Sequence, residues 1–114
     1  MSTLFNGAAM QSNDQPLSAE NCSNMAGVRA GVDAVDLALV DLLARRFAYM
    51  DAAARIKTER CAVRDEARKR QVLDNVIAAA QQHGVPTEIV AQLWEQLIEA
   101  SIAYEMNSWD GLRG

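Results

Sequence analysis

Between Pro16 and Pro86 the chain contains no proline, the residue that a long helix interior tolerates least. No apolar run approaches the ~18 residues needed to cross a bilayer, so the sequence predicts no membrane span. The first two dozen residues, MSTLFNGAAMQSNDQPLSAENCSN, lack Lys, Arg and any sustained apolar stretch, which speaks against a secretory signal. Residues 1–24 read as a mostly disordered tail, residues 25–114 as one helical domain, and the location as cytoplasmic. Cysteine is scarce too: Cys22 and Cys61 show neither a CxxC nor a metal-ligand spacing, and both read as ordinary free thiols. There is no excess of positive charge, and a formal net charge of −4 excludes the broad basic face that nucleic-acid binding requires. Any cationic site must be local.

What remains is 50% apolar residues arranged with helical periodicity. From about Met25 to Lys57 only Gly27 and Gly31, both near the start, weaken the pattern, which predicts one long helix. TERCAV follows as a short polar connection. A second helix is expected from about Asp65 to His83, with Asp65 and Glu66 favoured at its positive end and Gly84 as its stop. Its apolar face is Val72, Leu73, Val76, Ile77 and Ala80. A third helix is expected from Pro86, a first-turn proline, to about Trp109, with Ile89, Leu93, Leu97, Ile98 and Ile102 turned inward. The fold class is all-α, a three-helix protomer with one long N-terminal helix.

That first helix carries an apolar stripe through Val28, Val32, Val35, Leu39, Leu42, Tyr49, Ala53 and Ile56, and Arg46 interrupts it. A guanidinium does not lose its proton, so burying Arg46 requires an anion. The anion is either a structural carboxylate, such as Asp41 or Asp51, or a bound acidic ligand. Thirty-three helical residues extend ~50 Å, whereas a globule of ~90 residues has a radius of gyration of ~12 Å. The rod therefore overhangs its own protomer, and a second copy in an intertwined homodimer is the simplest cover. Arg46 and Lys57 are eleven residues apart, which at ~100° per residue returns to nearly one face, ~16 Å along the axis. Two long side chains can share one ligand across that gap. Arg29 lies ~25 Å from Arg46 along the helix and can join only from the antiparallel helix of a partner.

Arg29, then RRFAYMDAAARIK with Arg46 and Lys57, then VRDEARKR, then EASIAYE, together resemble the small all-helical chorismate mutases of the AroQ type. The resemblance spans roughly residues 22 to 109. It implies an intertwined dimer in which chorismate, a dianion, lies among arginines and a lysine, one arginine crossing from the partner chain. By that resemblance Arg29 is the donated arginine and Arg46 the carboxylate-binding one, while Lys57 meets the ether oxygen. Asp65 stands near the substrate hydroxyl, Arg68 is a further site arginine, Ser101 approaches a carboxylate, and Glu105 shares the ether oxygen with Lys57. The rearrangement to prephenate is unimolecular and pericyclic, so no nucleophile, metal or cofactor is implied. Glu105 can donate only when protonated, so activity is expected to fall as pH rises.

Two features depart from the pattern. Lys69, included among the substrate-binding candidates, stands where many relatives have a glutamate for the ring hydroxyl, and the connection before VRDEARKR is one residue shorter than in some. A sister branch, isochorismate pyruvate lyase, removes pyruvate from isochorismate to leave salicylate, and ENCSNMAGVRAGVDAVD resembles it. Glu105 departs from the glutamine expected there, and VRDEAR follows the mutase pattern. A third reading is a non-enzymatic adaptor, in which Arg46 and Lys57 meet fixed protein carboxylates. His83 is assigned no catalytic role, and Trp94, Tyr104 and Trp109 are assigned to core or interface contacts.

Overall fold

A computed structural model describes residues 16–114, and the chain divides into two compact units, Met1–Arg46 and Phe47–Gly114. The expected tail therefore lies outside the described residues as far as residue 15. The described residues form three helices, α1 (Met25–Ile56), α2 (Glu66–His83) and α3 (Thr87–Arg113), with short 3-10 turns at Ala19–Asn21 and Arg60–Ala62 and no strand. The all-α expectation holds, and no described helix is long and apolar enough to cross a membrane.

In the first unit the chain turns at Ala19–Asn21, where the Asn21 amide donates to Ser18 Oγ at 2.9 Å. Asn24 then starts α1: its Oδ1 accepts the Gly27 N–H at 2.9 Å and its carbonyl accepts that of Val28. The side-chain bond satisfies one of the donors that a helix N-terminus leaves without intrahelical partners, and the Val28 bond is the first of the helix itself. Beyond the cap, the apolar stripe is half open to water among the described residues. Val32 is 52% exposed, Val35 58%, Leu39 52% and Leu42 51%, and Leu37 and Val40 on neighbouring faces are exposed as well. Leu17, Cys22, Val28, Val32 and Val35 border an apolar groove of about 490 Å³.

The second unit contains the end of α1, the connection, α2 and α3. Asp65 is the N-cap of α2, its carboxylate accepting the Arg68 N–H at 3.0 Å, so the helix begins one residue later than expected. Gly84 closes α2 in the left-handed conformation at φ 69°, which only glycine adopts without strain. Pro86 is likewise a cap, one residue outside α3. The core is small: Ala54, Val63, Ala80, Val90 and Ile98 are buried, each large aliphatic contributing ~1.5–3 kcal/mol. The face of α2 is as expected, with Val72, Leu73, Val76 and Ile77 half-buried and Ala80 buried.

The face of α3 differs from expectation at its start. Ile89 and Leu93 are 53% and 58% exposed, while Val90 is buried and Trp94 half-buried. The two rows lie ~100° apart around the helix, and the row through Val90, Trp94 and Ile98 is the one that continues into Ser101 and Glu105. Leu97 and Ile102 are half-buried at its edges. α3 also runs four residues past Trp109, to Arg113. The TERCAV connection is anchored as well as polar, because Val63 is only 3% exposed and Arg60 makes a two-point ion pair with Asp110 at 2.8 and 3.1 Å.

Candidate functional site

Ser101, Glu105, Trp109 and Arg113 follow one another at intervals of four along α3, which keeps them on one slowly drifting face. Ser101 and Glu105, 3% and 4% exposed, are the buried polar side chains among the described residues. The Ser101 hydroxyl donates to the Leu97 carbonyl at 2.7 Å, the usual way a mid-helix serine satisfies itself. Glu105 cannot be satisfied so locally. A buried carboxylate needs a cation, and Lys57 supplies it, Nζ to Oε2 at 2.7 Å across 48 residues of sequence. Lys57 itself lies just past the last turn of α1 and keeps 29% of its side chain exposed. The pair thus has one end in the protein and one facing solvent.

The end of α1 is tied to α3 at several further points. The Tyr104 hydroxyl donates to Asp51 at 2.8 Å, which pushes the phenol above its ordinary pKa, and its ring meets Phe47 edge-on at 4.8 Å. The Trp109 indole N–H donates to the Lys57 carbonyl at 3.0 Å, and the Arg113 guanidinium lies 4.3 Å over the Trp109 ring. Asp110, in its fork with Arg60, is held below the ordinary carboxylate range by that hydrogen bond.

Of the eight candidate residues, Arg29 and Arg46 belong to the first unit and the other six to the second. Arg29 is exposed and Arg46 half-buried. Lys57 and Glu105 are brought together, with Ser101 one turn away from Glu105. The three α2 candidates are engaged elsewhere. Asp65 caps the helix, and the Arg68 side chain donates to Gln71. Lys69 donates to Glu95 and Glu99, both at 2.8 Å, and those hydrogen bonds raise its pKa. Arg64 grips the other oxygen of Glu99 at 2.6 Å, and the hydrogen bonds from Arg64 and Lys69 hold Glu99 down to about 2. This surface network staples α2 to α3.

Sequence reasoning missed Arg113 and gave Trp109 only a packing role. The signal that would have found them is the same interval of four, continued past Glu105. The adaptor reading expected a fixed carboxylate opposite Lys57, and Glu105 is one. Among the described residues no cluster of His, Cys, Asp and Glu could hold a metal ion.

What the arrangement offers chemically is an ammonium on a half-open flank, oriented by a buried carboxylate, suited to a polar oxygen in a small anionic ligand. The family model described as chorismate mutase type II matches residues 28–106. An isochorismate pyruvate lyase of Pseudomonas aeruginosa is 32% identical over 95 residues, covering 83% of this chain and 94% of that protein. Because the family model spans most of the chain and takes in both Lys57 and Glu105, the chain belongs to the chorismate mutase type II family.

Proposed function

We propose that the chain is a chorismate mutase, converting chorismate to prephenate as a cytoplasmic homodimer serving aromatic amino acid biosynthesis. The observation that carries the reading is the Lys57–Glu105 pair, 2.7 Å long and buried on its carboxylate side. In the rearrangement the ether C–O bond breaks while a C–C bond forms between the enolpyruvyl methylene and the ring. Charge develops on the ether oxygen, and donors fixed in advance at that oxygen stabilise the transition state more than the ground state. Lys57 is one such donor. Glu105 stands beside it and holds the ammonium in place from the buried side.

The two carboxylates of the substrate call for arginine forks. In this reading Arg46 takes one and Arg29 of a second copy the other, so that the enolpyruvyl arm is held over the ring. The exposed stripe of α1 supports the dimer: a row of aliphatic side chains half open to water is the surface that a twin helix would cover. Ser101 lines the carboxylate end, Asp65 and Lys69 face the hydroxyl end, and Arg68 is a further site arginine, if ligand draws these three from their present partners.

Isochorismate pyruvate lyase activity is the second reading, favoured by the 32% identical relative. Both reactions break the same enolpyruvyl ether bond, so the Lys57–Glu105 pair would serve either. Glu105 and the VRDEAR stretch are why the mutase is preferred. Purified protein is mixed with chorismate and the appearance of prephenate followed, then with isochorismate and salicylate fluorescence followed. Prephenate without salicylate is expected. Turnover of neither by a folded dimer would favour the adaptor. Arg46→Ala is expected to lower turnover by ~100-fold or more while the dimer stays folded, and full activity in that variant would sink the site.

A further inference from the structure

We propose that Arg113 and Trp109 are positioning residues for Lys57, holding its backbone from the same face of α3 that holds its ammonium. The last carbonyls of a helix have no intrahelical partners, and helices commonly solve this with a glycine just past the end, as α2 does with Gly84. The end of α1 reads Arg55-Ile56-Lys57-Thr58, with no glycine. Its carbonyls are instead capped from outside. Arg113 Nη1 donates to the Ala54 carbonyl at 2.9 Å, and Nη2 donates to those of Lys57 at 2.8 Å and Arg55 at 3.4 Å. The cation also complements the negative end of the α1 dipole.

The Lys57 carbonyl is the focus of this clamp, because it accepts from the Trp109 indole as well, and the Trp109 ring lies beneath the guanidinium. Lys57 is therefore fixed twice: its ammonium by Glu105, and its carbonyl by residues four and eight positions further along α3. A lysine side chain is long and carries ~2 kcal/mol of rotamer entropy, so its head is well placed only where its backbone is. Misplacement of a positioned group by ~1 Å costs on the order of 100-fold in rate. The clamp acts through Lys57 and touches no substrate, and its catalytic consequence rests on the site proposed above.

The chain has two lysines, Lys57 and Lys69, which makes the test direct. Rates of reductive dimethylation of each are measured by mass spectrometry on the full chain and on Arg113→Ala, Arg113→Lys and Trp109→Phe. Release of the clamp is expected to raise Lys57 labelling about threefold or more relative to Lys69 in Arg113→Ala, and to lower kcat at least tenfold with KM little changed. Arg113→Lys, which keeps the charge but not the fork, restores part of both. Trp109→Phe, which removes one donor and keeps a ring, shifts both less and serves if Arg113→Ala fails to fold. An unchanged ratio in a folded variant, or equal gains at both lysines, would overturn the proposal. Wild-type protein that turns over neither substrate would refute the proposed function, while the labelling ratio still decides the clamp.

Discussion

The two units use the same helix α1 in opposite ways. In residues 16–46 the side chains of Asn21, Cys22 and Asn24 bond to positions three or four residues away, and large aliphatic residues are half exposed. In residues 47–114 the end of α1 is tied to α3 by ion pairs, indole and phenol hydrogen bonds and an arginine cap across roughly fifty residues. The contrast teaches where the chain finishes its own structure. From Phe47 onward the described residues bind one another across the sequence, and up to Arg46 the aliphatic face of α1 is left half open to water.

The strongest way to break the comparison is to charge the open stripe. Leu39→Glu combined with Leu42→Glu should dissociate the proposed dimer and unfold much of α1, read by light scattering and circular dichroism, because each buried leucine is worth ~1.5–3 kcal/mol. If both side chains face water in solution as they do in the single chain, the change stays within ~0.5 kcal/mol per site and the dimer is refuted.

Next in size is Glu105→Gln. The amide keeps the shape of the side chain but removes the charge that holds the Lys57 ammonium, so kcat/KM should fall by ~10-fold or more, and an unaltered rate would remove Glu105 from the chemistry. Tyr104→Phe sharpens the comparison from the other side. It deletes the bond to Asp51 while keeping the ring against Phe47, and should cost about 1 kcal/mol in urea unfolding.

The smallest effect belongs to Glu99→Gln. Glu99 is held at about 2 against an ordinary 4.5, so its carboxylate contributes stability above the unfolded value and loses it as pH falls toward about 2. Wild type should therefore lose more thermal stability than Glu99→Gln between pH 6 and pH 3. Exposure of the network keeps that difference modest, and added salt should shrink it.

Helix content was legible because its signals are local: a proline-free run, the acidic start at Asp65 and Glu66, the stopping Gly84. The inward face of α3 was not, because Ile89 and Leu93 form as good an apolar row as Val90 and Trp94, and only the packed neighbour decides between rows ~100° apart. Val63 was hidden in a polar connection for the same reason. Lys57 and Glu105 stand 48 residues apart, a pairing that no periodicity contains, and the family resemblance was what joined them. Arg113 escaped because the third helix was expected to end near Trp109, and a residue placed beyond a helix is not counted on its face.

That 48-residue separation also has a kinetic meaning. Closing so long a loop costs chain entropy that must be met before the contact can repay it, so the Lys57–Glu105 bond should form after α2 and α3 have packed as a local hairpin. During synthesis Lys57 emerges 48 residues before Glu105, the carboxylate that orients it. The ion pair therefore cannot form until α3 has been made, and it appears together with the turn of α3 that caps the end of α1.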